Sequence, residues 1–192
     1  MEDKGKLYIC GTPIGNLDDI TSRVINVLKK VDLIASEDTR RTSKLLNKFE
    51  INTGLSSYHE HNERKKSGEL LKKLKNGSEI ALVSDAGMPV ISDPGFILVN
   101  KAINAGIEVI PVPGPTALIS ALIVSGLSAE RFVFEGFIPR EGTERNERLE
   151  EIMQEERTTV IYESPHRTED TLNELNKYIG NRRIALIREL TK

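Results

Sequence analysis

The 192-residue sequence predicts an α/β fold with a largely parallel sheet, and three observations support this class. Short apolar runs alternate with longer segments of helical periodicity along the chain. Their order, strand then helix repeatedly, is typical of βα units that build a parallel sheet. Glycine and proline residues gather directly after several of the apolar runs. Parallel sheets bind ligands beyond the carboxyl ends of their strands, so we expect a ligand site there.

The first part of the chain supplies five strands and five helices. The predicted strands are short apolar runs, namely Lys6–Cys10, Asp32–Ser36, Leu55–Tyr58, Ile80–Val83 and Val109–Val112. The predicted helices have apolar residues at helical spacing, and they are Ile20–Val31, Thr39–Phe49, Asn62–Lys75, Asp93–Ala105 and Thr116–Val124. We expect Asp38 or Thr39 to cap the second helix and Asp93, followed by Pro94, to cap the fourth.

The chain changes character after Gly126, where we place a domain boundary. This predicts an N-terminal domain over 1–126 and a C-terminal domain over 127–192. The second domain is expected to contain the aromatic strand Phe132–Phe137, the charged helix Glu141–Glu156 and the strands Thr158–Tyr162 and Ile184–Ile187. Ser164 and Pro165 are expected to be the N-cap and first turn of a further helix.

Composition excludes several classes of protein. The chain is 38% hydrophobic with a formal net charge of −2, unlike a disordered chain. Its one cysteine, Cys10, excludes a disulfide scaffold or a cysteine-based zinc site. It has no apolar run long enough to span a membrane and no signal-peptide pattern at its start, so we expect a cytoplasmic protein without a membrane partner. The near-neutral charge argues against a bulk electrostatic nucleic-acid binder but leaves a local basic face open.

Three proline- and glycine-rich segments each follow a predicted strand: Gly11–Asn16, Ser84–Gly95 and Pro111–Thr116. The first does not match the dinucleotide fingerprint, because Pro13 stands in place of the second glycine, and no P-loop lysine follows it. This disfavours an ordinary NAD enzyme or an NTPase. Each segment alone could be a plain turn, but three at one sheet edge favour a shaped pocket.

A few polar residues stand where they can meet a ligand. Asp85 ends a strand, and its alternative role is that of a turn-forming side chain. The amides of Thr116 and Ala117 open a helix and favour an anion such as a carboxylate. His59 and His61 lack a third ligand with tetrahedral spacing, so we expect no metal site.

Seven ordered sequence blocks together resemble those of the ribosomal RNA small-subunit methyltransferase I family, part of the tetrapyrrole methylase superfamily. The blocks are GTPIGNLDDIT, ASEDTRRTSKLL, HEHN, SDAGMPVISDPG, PVPGPTALISAL, FEGFIPR and YESPHR. The resemblance implies transfer of a methyl group from S-adenosyl-L-methionine to the ribose 2′-oxygen of a cytidine in 16S rRNA of the small ribosomal subunit. It also implies two α/β domains, a cofactor cleft between them and a homodimer.

The resemblance assigns candidate residues to each task. Those expected to bind the cofactor are Pro13, Ile14, Asp85, Gly87, Met88, Thr116, Ala117 and Tyr162. The candidates for substrate binding are Glu37, Arg40, His59, Asn62, Arg140 and Arg167. A general base is not identified, and Asp38 and His166 are the candidates. A local basic face for RNA would draw on Arg40, Arg41, Arg64, Lys65, Lys66, Arg140, Arg145 and Arg167.

Two alternatives stay open at this point. One is a methyltransferase that acts on a tetrapyrrole, as in cobalamin or sirohaem synthesis, which would share the cofactor loops but not the ASEDTRRT and YESPHR blocks. The other is a non-catalytic cofactor-binding module. Members of the family continue well beyond Lys192, so the second domain is expected to be incomplete in this chain.

Overall fold

The computed structural model describes residues 4–192, which form two compact units. The first unit comprises residues 4–117 together with Thr191–Lys192, and the second comprises Leu118–Leu190. The division therefore falls before the boundary predicted at Gly126. Residues 1–3, which belong to the N-terminal segment without a signal-peptide pattern, lie outside the described residues.

A five-stranded parallel sheet forms the centre of the first unit. Its strands are β1 (Lys6–Cys10), β2 (Leu33–Ser36), β3 (Leu55–Ser57), β4 (Ile80–Val83) and β5 (Glu108–Val112). They lie in the order β3-β2-β4-β1-β5, and each neighbouring pair is parallel. The helices are α1 (Ser22–Lys30), α2 (Thr39–Lys48), α3 (Glu63–Lys75) and α4 (Phe96–Asn104), with a short 3-10 turn at Leu17–Asp19. The predicted α/β class and parallel sheet are confirmed.

Both faces of this sheet are buried, which explains the almost wholly apolar strands. Side chains alternate along β1, so Leu7 and Ile9 join one core, while Tyr8 and Cys10 join the other. All four residues of β4 are buried. Each fully buried Leu or Ile contributes about 1.5–3 kcal/mol of transfer free energy. The strand ends are therefore held by packing on both sides.

In the first unit, the predicted N-cap residue is correct for helix α2 but not for helix α4. Asp38 is the N-cap of α2 and its carboxylate accepts the Arg40 amide at 2.9 Å, as predicted. The prediction for Asp93 is wrong, because α4 begins only at Phe96 and its N-cap is Gly95. Gly95 has a φ of +146°, a conformation outside the helical region that glycine adopts freely.

The second unit contains two parallel strands, β6 (Phe132–Phe137) and β7 (Thr158–Tyr162). It also contains helix α5 (Ala117–Val124) apart from Ala117, which belongs to the first unit. Helices α6 (Thr143–Gln154) and α7 (Thr168–Ile179) complete it. Its small core consists of the buried residues Ile138, Leu149, Ile152 and Leu175.

Two predictions for the second unit are wrong. Helix α7 begins at Thr168 rather than after Ser164, because residues 165–167 form a turn in which the Ser164 carbonyl accepts the Arg167 amide at 3.0 Å. The run Ile184–Ile187 is not a strand: it pairs with no strand of the described residues, and Ile184 is 57% exposed. A strand needs such pairing, because an unpaired extended segment leaves its backbone groups to water.

Among residues 4–192, no helix is both long enough and apolar enough to cross a membrane.

Candidate functional site

Backbone hydrogen bonds join the loops that follow β1 and β4. The Thr12 amide donates to the Gly87 carbonyl at 2.9 Å, and the Gly87 amide donates back to the Thr12 carbonyl at 3.0 Å. The buried Thr12 hydroxyl also donates to the Ser84 carbonyl at 3.1 Å. The first two glycine- and proline-rich loops are therefore fixed to one another.

The loop after β5 crosses the loop after β1 at a pair of glycines. An ideal Cβ placed on Gly11 would lie 2.7 Å from the Gly114 Cα and 2.7 Å from the Met88 Sδ. One placed on Gly114 would lie 2.9 Å from the Gly11 Cα. Real side-chain carbons do not approach other atoms so closely, so this crossing requires glycine on both sides.

The three loops converge around Gly87. Its backbone has a φ of +83°, and a Cβ placed there would lie 3.5 Å from the Ile14 Cγ2 and 3.6 Å from the Pro115 carbonyl oxygen. The three loops were expected to share one edge of the sheet, and they do. Ile14, Gly87 and Met88 are therefore neighbours, as a single ligand site requires.

The two amides at the start of α5 are available to a ligand. Within residues 4–192, neither the Thr116 nor the Ala117 amide donates a hydrogen bond to the protein. Pro115, which precedes them, has no amide. Together with the dipole of α5, these groups favour a negatively charged or oxygen-rich ligand group.

Asp85 turns away from this convergence and towards the loop after β2. Its Oδ1 accepts the Asp38 amide at 3.1 Å, and its Oδ2 pairs with the Arg41 guanidinium at 3.1 Å. Arg41 itself is exposed. An ionised carboxylate can accept about four hydrogen bonds, so Asp85 keeps acceptor capacity for a ligand as well as joining the loops after β2 and β4.

Three carboxyl groups lie together at this edge: those of Glu37, Asp85 and Asp93. Burial raises the pKa of Asp93 to about 6, with Glu37 and Asp85 adding to the effect and a hydrogen bond from Ser84 opposing it. Burial, then Asp85, also raises the pKa of Glu37. Asp93 was not predicted to belong to the site, because its sequence context is that of a helix cap. Its position in the same proline- and glycine-rich loop as Asp85 was the available signal.

Asp38 has a structural task. Hydrogen bonds from the side chain and amide of Arg40 lower its pKa to about 2. Such a carboxylate is a weak proton acceptor near neutral pH. The Arg40 guanidinium is bound back onto Asp38 at 2.9 Å, so these two candidates form a local pair.

His59 and Asn62 stabilise each other in the turn after β3. The Asn62 Oδ1 accepts the His59 amide at 3.0 Å, and its Nδ2 lies 3.0 Å from the His59 Nε2. The Asn62 side chain therefore contacts both the backbone and the ring of His59. Within residues 4–192, no three His, Cys, Asp or Glu side chains are arranged to hold a metal ion.

Among the candidate residues of the second unit, Arg167 and Arg145 have side chains bound to other protein groups, whereas Arg140 and His166 are exposed. Arg167 donates to Glu163 and to the Ile138 carbonyl, the latter at 3.1 Å. Arg145 is buried against Glu174, so it does not belong to an exposed basic face.

Tyr162 ends β7 and is held by its hydroxyl group and its ring. The hydroxyl accepts the Leu118 amide at 3.1 Å in the first turn of α5. The ring meets Phe134 edge-on, with centroids 4.9 Å apart. Its expected contact with the cofactor stays a prediction.

The all-parallel sheet and its three joined strand-end loops define an α/β protein, and sequence comparison identifies the family. Residues 6–192 match the Tetrapyrrole (Corrin/Porphyrin) Methylases. The fold resembles that of uroporphyrin III C-methyl transferase from Thermus thermophilus, with a TM-score of 0.63, 18% identity, and coverage of 93% of this chain and 78% of that one.

The relatives named "Ribosomal RNA small subunit methyltransferase I" are much more similar in sequence. The one from Halalkalibacterium halodurans is 54% identical over 100% of this chain and 66% of its own length. The one from Thermotoga maritima is 52% identical over 98% of this chain and 84% of its own length. The chain belongs to the tetrapyrrole methylases and, within them, to the ribosomal RNA small subunit methyltransferase I family. It spans just under two thirds of the Halalkalibacterium relative.

Proposed function

We propose that the protein containing this chain is an S-adenosylmethionine-dependent methyltransferase that methylates the ribose 2′-hydroxyl of a cytidine in 16S rRNA of the small ribosomal subunit. The observation that carries the proposal is the convergence of Ile14, Gly87, Met88 and Pro115 from three loops at one sheet edge. The homodimer stays a prediction.

The first unit has the groups that the methyl donor needs. S-adenosylmethionine, when bound, supplies an activated methyl group on a sulfonium centre. Ile14 and Met88 offer apolar contact beside the backbone of Gly87. The unpaired amides of Thr116 and Ala117 suit the carboxylate or hydroxyl groups of such a ligand. Asp85 suits a polar part of it, because a tight grip on the sulfonium would stabilise the ground state more than the transition state.

The chain contributes mainly by positioning the acceptor oxygen in line with the methyl group, which is worth up to about 7–11 kcal/mol in favourable cases. A ribose hydroxyl also loses a proton. Among the carboxyl groups at the edge, Asp93 has a pKa of about 6, near the working range of a general base. We infer that Asp93, which lies beside Asp85 and Glu37, receives this proton rather than Asp38, whose carboxylate is paired with Arg40. His166 stays the other candidate.

The sequence comparisons favour an RNA substrate over the tetrapyrrole alternative. Identity to the relatives named for ribosomal RNA is 54%, with the ASEDTRRT and YESPHR blocks inside the matched region. Identity to the uroporphyrin methyltransferase structure is 18%, which supports the shared fold alone.

Calorimetry with S-adenosylmethionine tests the donor site. The wild-type chain should bind, and Asp85→Asn should weaken binding by about tenfold because a charge-assisted hydrogen bond becomes neutral. The matched control is Asp32→Asn. Asp32 likewise accepts a backbone amide, that of Glu79, but at the start of β2 and thus at the opposite sheet edge. No binding by the wild type would refute the donor proposal.

Mass spectrometry of rRNA tests the substrate. A strain lacking the gene should lose one 2′-O-methyl cytidine from small-subunit rRNA, and Asp93→Asn should fail to restore it. An intact mark, with an unmethylated corrin precursor instead, would favour the tetrapyrrole alternative.

A further inference from the structure

Phe137 is an exposed aromatic ring at the carboxyl edge of the second unit's sheet. It is the last residue of β6 and pairs in register with Tyr162, the last residue of β7. Phe137 is 57% exposed. Its ring centroid lies 5.6 Å from that of Tyr162, which is itself packed edge-on against Phe134. Phe137 is therefore supported from behind and open to solvent elsewhere.

Two arginines hold the backbone that follows Phe137. The Ile138 carbonyl accepts a hydrogen bond from Arg167 at 3.1 Å, and the Pro139 carbonyl accepts one from Arg145 at 2.7 Å. Both guanidinium groups are also bound to glutamates, Glu163 and Glu174. The segment is thus ordered before any ligand arrives, which lowers the entropic cost of binding to it.

A positively charged side chain, that of Arg140, follows Phe137 on the same segment. The Arg140 side chain is exposed and makes no hydrogen bond or ion pair within the described part of the chain, residues 4–192. It lies three residues beyond Phe137, hence within about 10 Å along the backbone. An open ring and an uncompensated guanidinium three residues apart suit a nucleotide strand, in which a base can stack on the ring and a phosphate can pair with the guanidinium.

We propose that Phe137 stacks on an unpaired base of the RNA substrate while Arg140 binds a neighbouring phosphate. This rests on the proposed function, in which RNA is the substrate. S-adenosylmethionine also carries a base, but it has no phosphate, and its one carboxylate is assigned to the free amides of Thr116 and Ala117 in the first unit. The geometry therefore points to RNA as the occupant.

Fluorescence anisotropy with a labelled oligocytidylate of about 12 nucleotides tests the stacking. Phe137→Leu keeps an apolar side chain but removes the ring, and it should weaken binding by about 5- to 150-fold. Phe137→Tyr keeps the ring and should bind within about twofold of the wild type. On an abasic strand of the same length, Phe137→Leu and wild type should bind equally. Ile123→Ala, at an apolar residue of α5 that is 70% exposed, is the matched control and should change neither affinity.

The salt dependence of binding tests Arg140. Loss of one phosphate contact in Arg140→Gln should reduce the slope of log affinity against log salt by about 0.7. The same change at exposed Arg131, just before the first residue of β6, should leave the slope unchanged.

Several results would overturn the inference. These are equal oligocytidylate affinity for wild type and Phe137→Leu, equal losses on the normal and abasic strands, or no binding of the oligonucleotide by the wild type. Loss of S-adenosylmethionine affinity in Phe137→Leu, with RNA affinity intact, would assign the ring to the donor instead. Failure of the wild type to bind S-adenosylmethionine would refute the donor proposal and is a separate result.

Discussion

Replacing Gly11 by alanine tests whether the crossing of two loops holds the strand-end site together. The added Cβ would lie 2.7 Å from the Gly114 Cα and 2.8 Å from its nitrogen. Non-bonded carbons prefer separations of about 3.5–4.0 Å, so the two backbones must part by roughly an ångström. Overpacking of this kind costs about 1–3 kcal/mol. Gly11 does not have a positive φ, so the effect isolates the steric contact.

Urea denaturation followed by circular dichroism measures this cost. With a slope of about 2 kcal/mol per molar urea, the midpoint should fall by about 0.5–1.5 M. The affinity for S-adenosylmethionine should fall as well, because Gly87 and Met88 are attached to the displaced loop.

Gly68→Ala is the matched control. Gly68 lies inside α3, and a Cβ there meets nothing within 4 Å. Alanine should stabilise the helix by about 0.5–1 kcal/mol. Both substitutions add one methyl group, but Gly11→Ala is expected to lower the free energy of unfolding and Gly68→Ala to raise it. If Gly11→Ala left the midpoint unchanged or raised it, the close crossing would not constrain the loops.

Two further substitutions probe buried charge. The folded pKa of Asp93, about 6, exceeds its reference value of 3.8, so its contribution to stability is intact below pH 3.8 and is lost as the pH rises through 6. Asp93→Asn should consequently stabilise the fold at pH 7, by about 1 kcal/mol once the screening of this half-buried group by solvent is allowed for, and hardly at pH 4. Urea titrations at both pH values measure this gain, and a gain independent of pH would contradict the burial of this carboxyl. Arg145→Met leaves Glu174 and the Pro139 carbonyl without their buried partner and should cost about 3–5 kcal/mol, measured in the same way. Pairing it with Glu174→Leu should recover much of the loss, and a single-variant cost below about 1 kcal/mol would mean that water replaces the guanidinium.

The strands were predictable because burial on both sides of a parallel sheet leaves a strong local pattern. The four residues of β4 are all apolar and all buried, and its predicted bounds are those observed. The run Ile184–Ile187 shows the limit of this reasoning. It has the apolar composition of a strand, but pairing depends on a neighbouring edge, which a local pattern does not report.

Helix starts depend on backbone angles that residue type only partly determines. Asp38 and Asp93 are both aspartates before a predicted helix, yet only Asp38 caps one. The residues next in the chain make the difference. After Asp93, Pro94 and the positive φ of Gly95 delay the helix, whereas Thr39 enters α2 directly.

For the site, the sequence could predict which loops meet but not which way their side chains turn. Parallel topology alone brings the ends of β1, β4 and β5 to one edge, so Ile14 and Gly87 were correctly expected to be neighbours. The direction of Asp85 depends on the Asp38 amide, 47 positions away in the chain. No local pattern encodes a contact of that range.

Two parts of the loop after β4 contact two different neighbouring loops, and this division affects how the site would work. Gly87 is bonded to Thr12 on the β1 side, while Asp85 is bonded to the β2 side through Asp38. In the sheet, β4 lies between β2 and β1, so one rigid loop separates the convergence around Gly87 from the carboxyl cluster that includes Asp93. Asp85 belongs to the carboxyl cluster and is also expected to contact the donor, so only a change confined to one side, such as one at Asp93, should leave the other side's ligand in place. Asp93→Asn should then abolish methyl transfer while S-adenosylmethionine still binds with unchanged affinity, and parallel loss of both would show that the two halves form a single site.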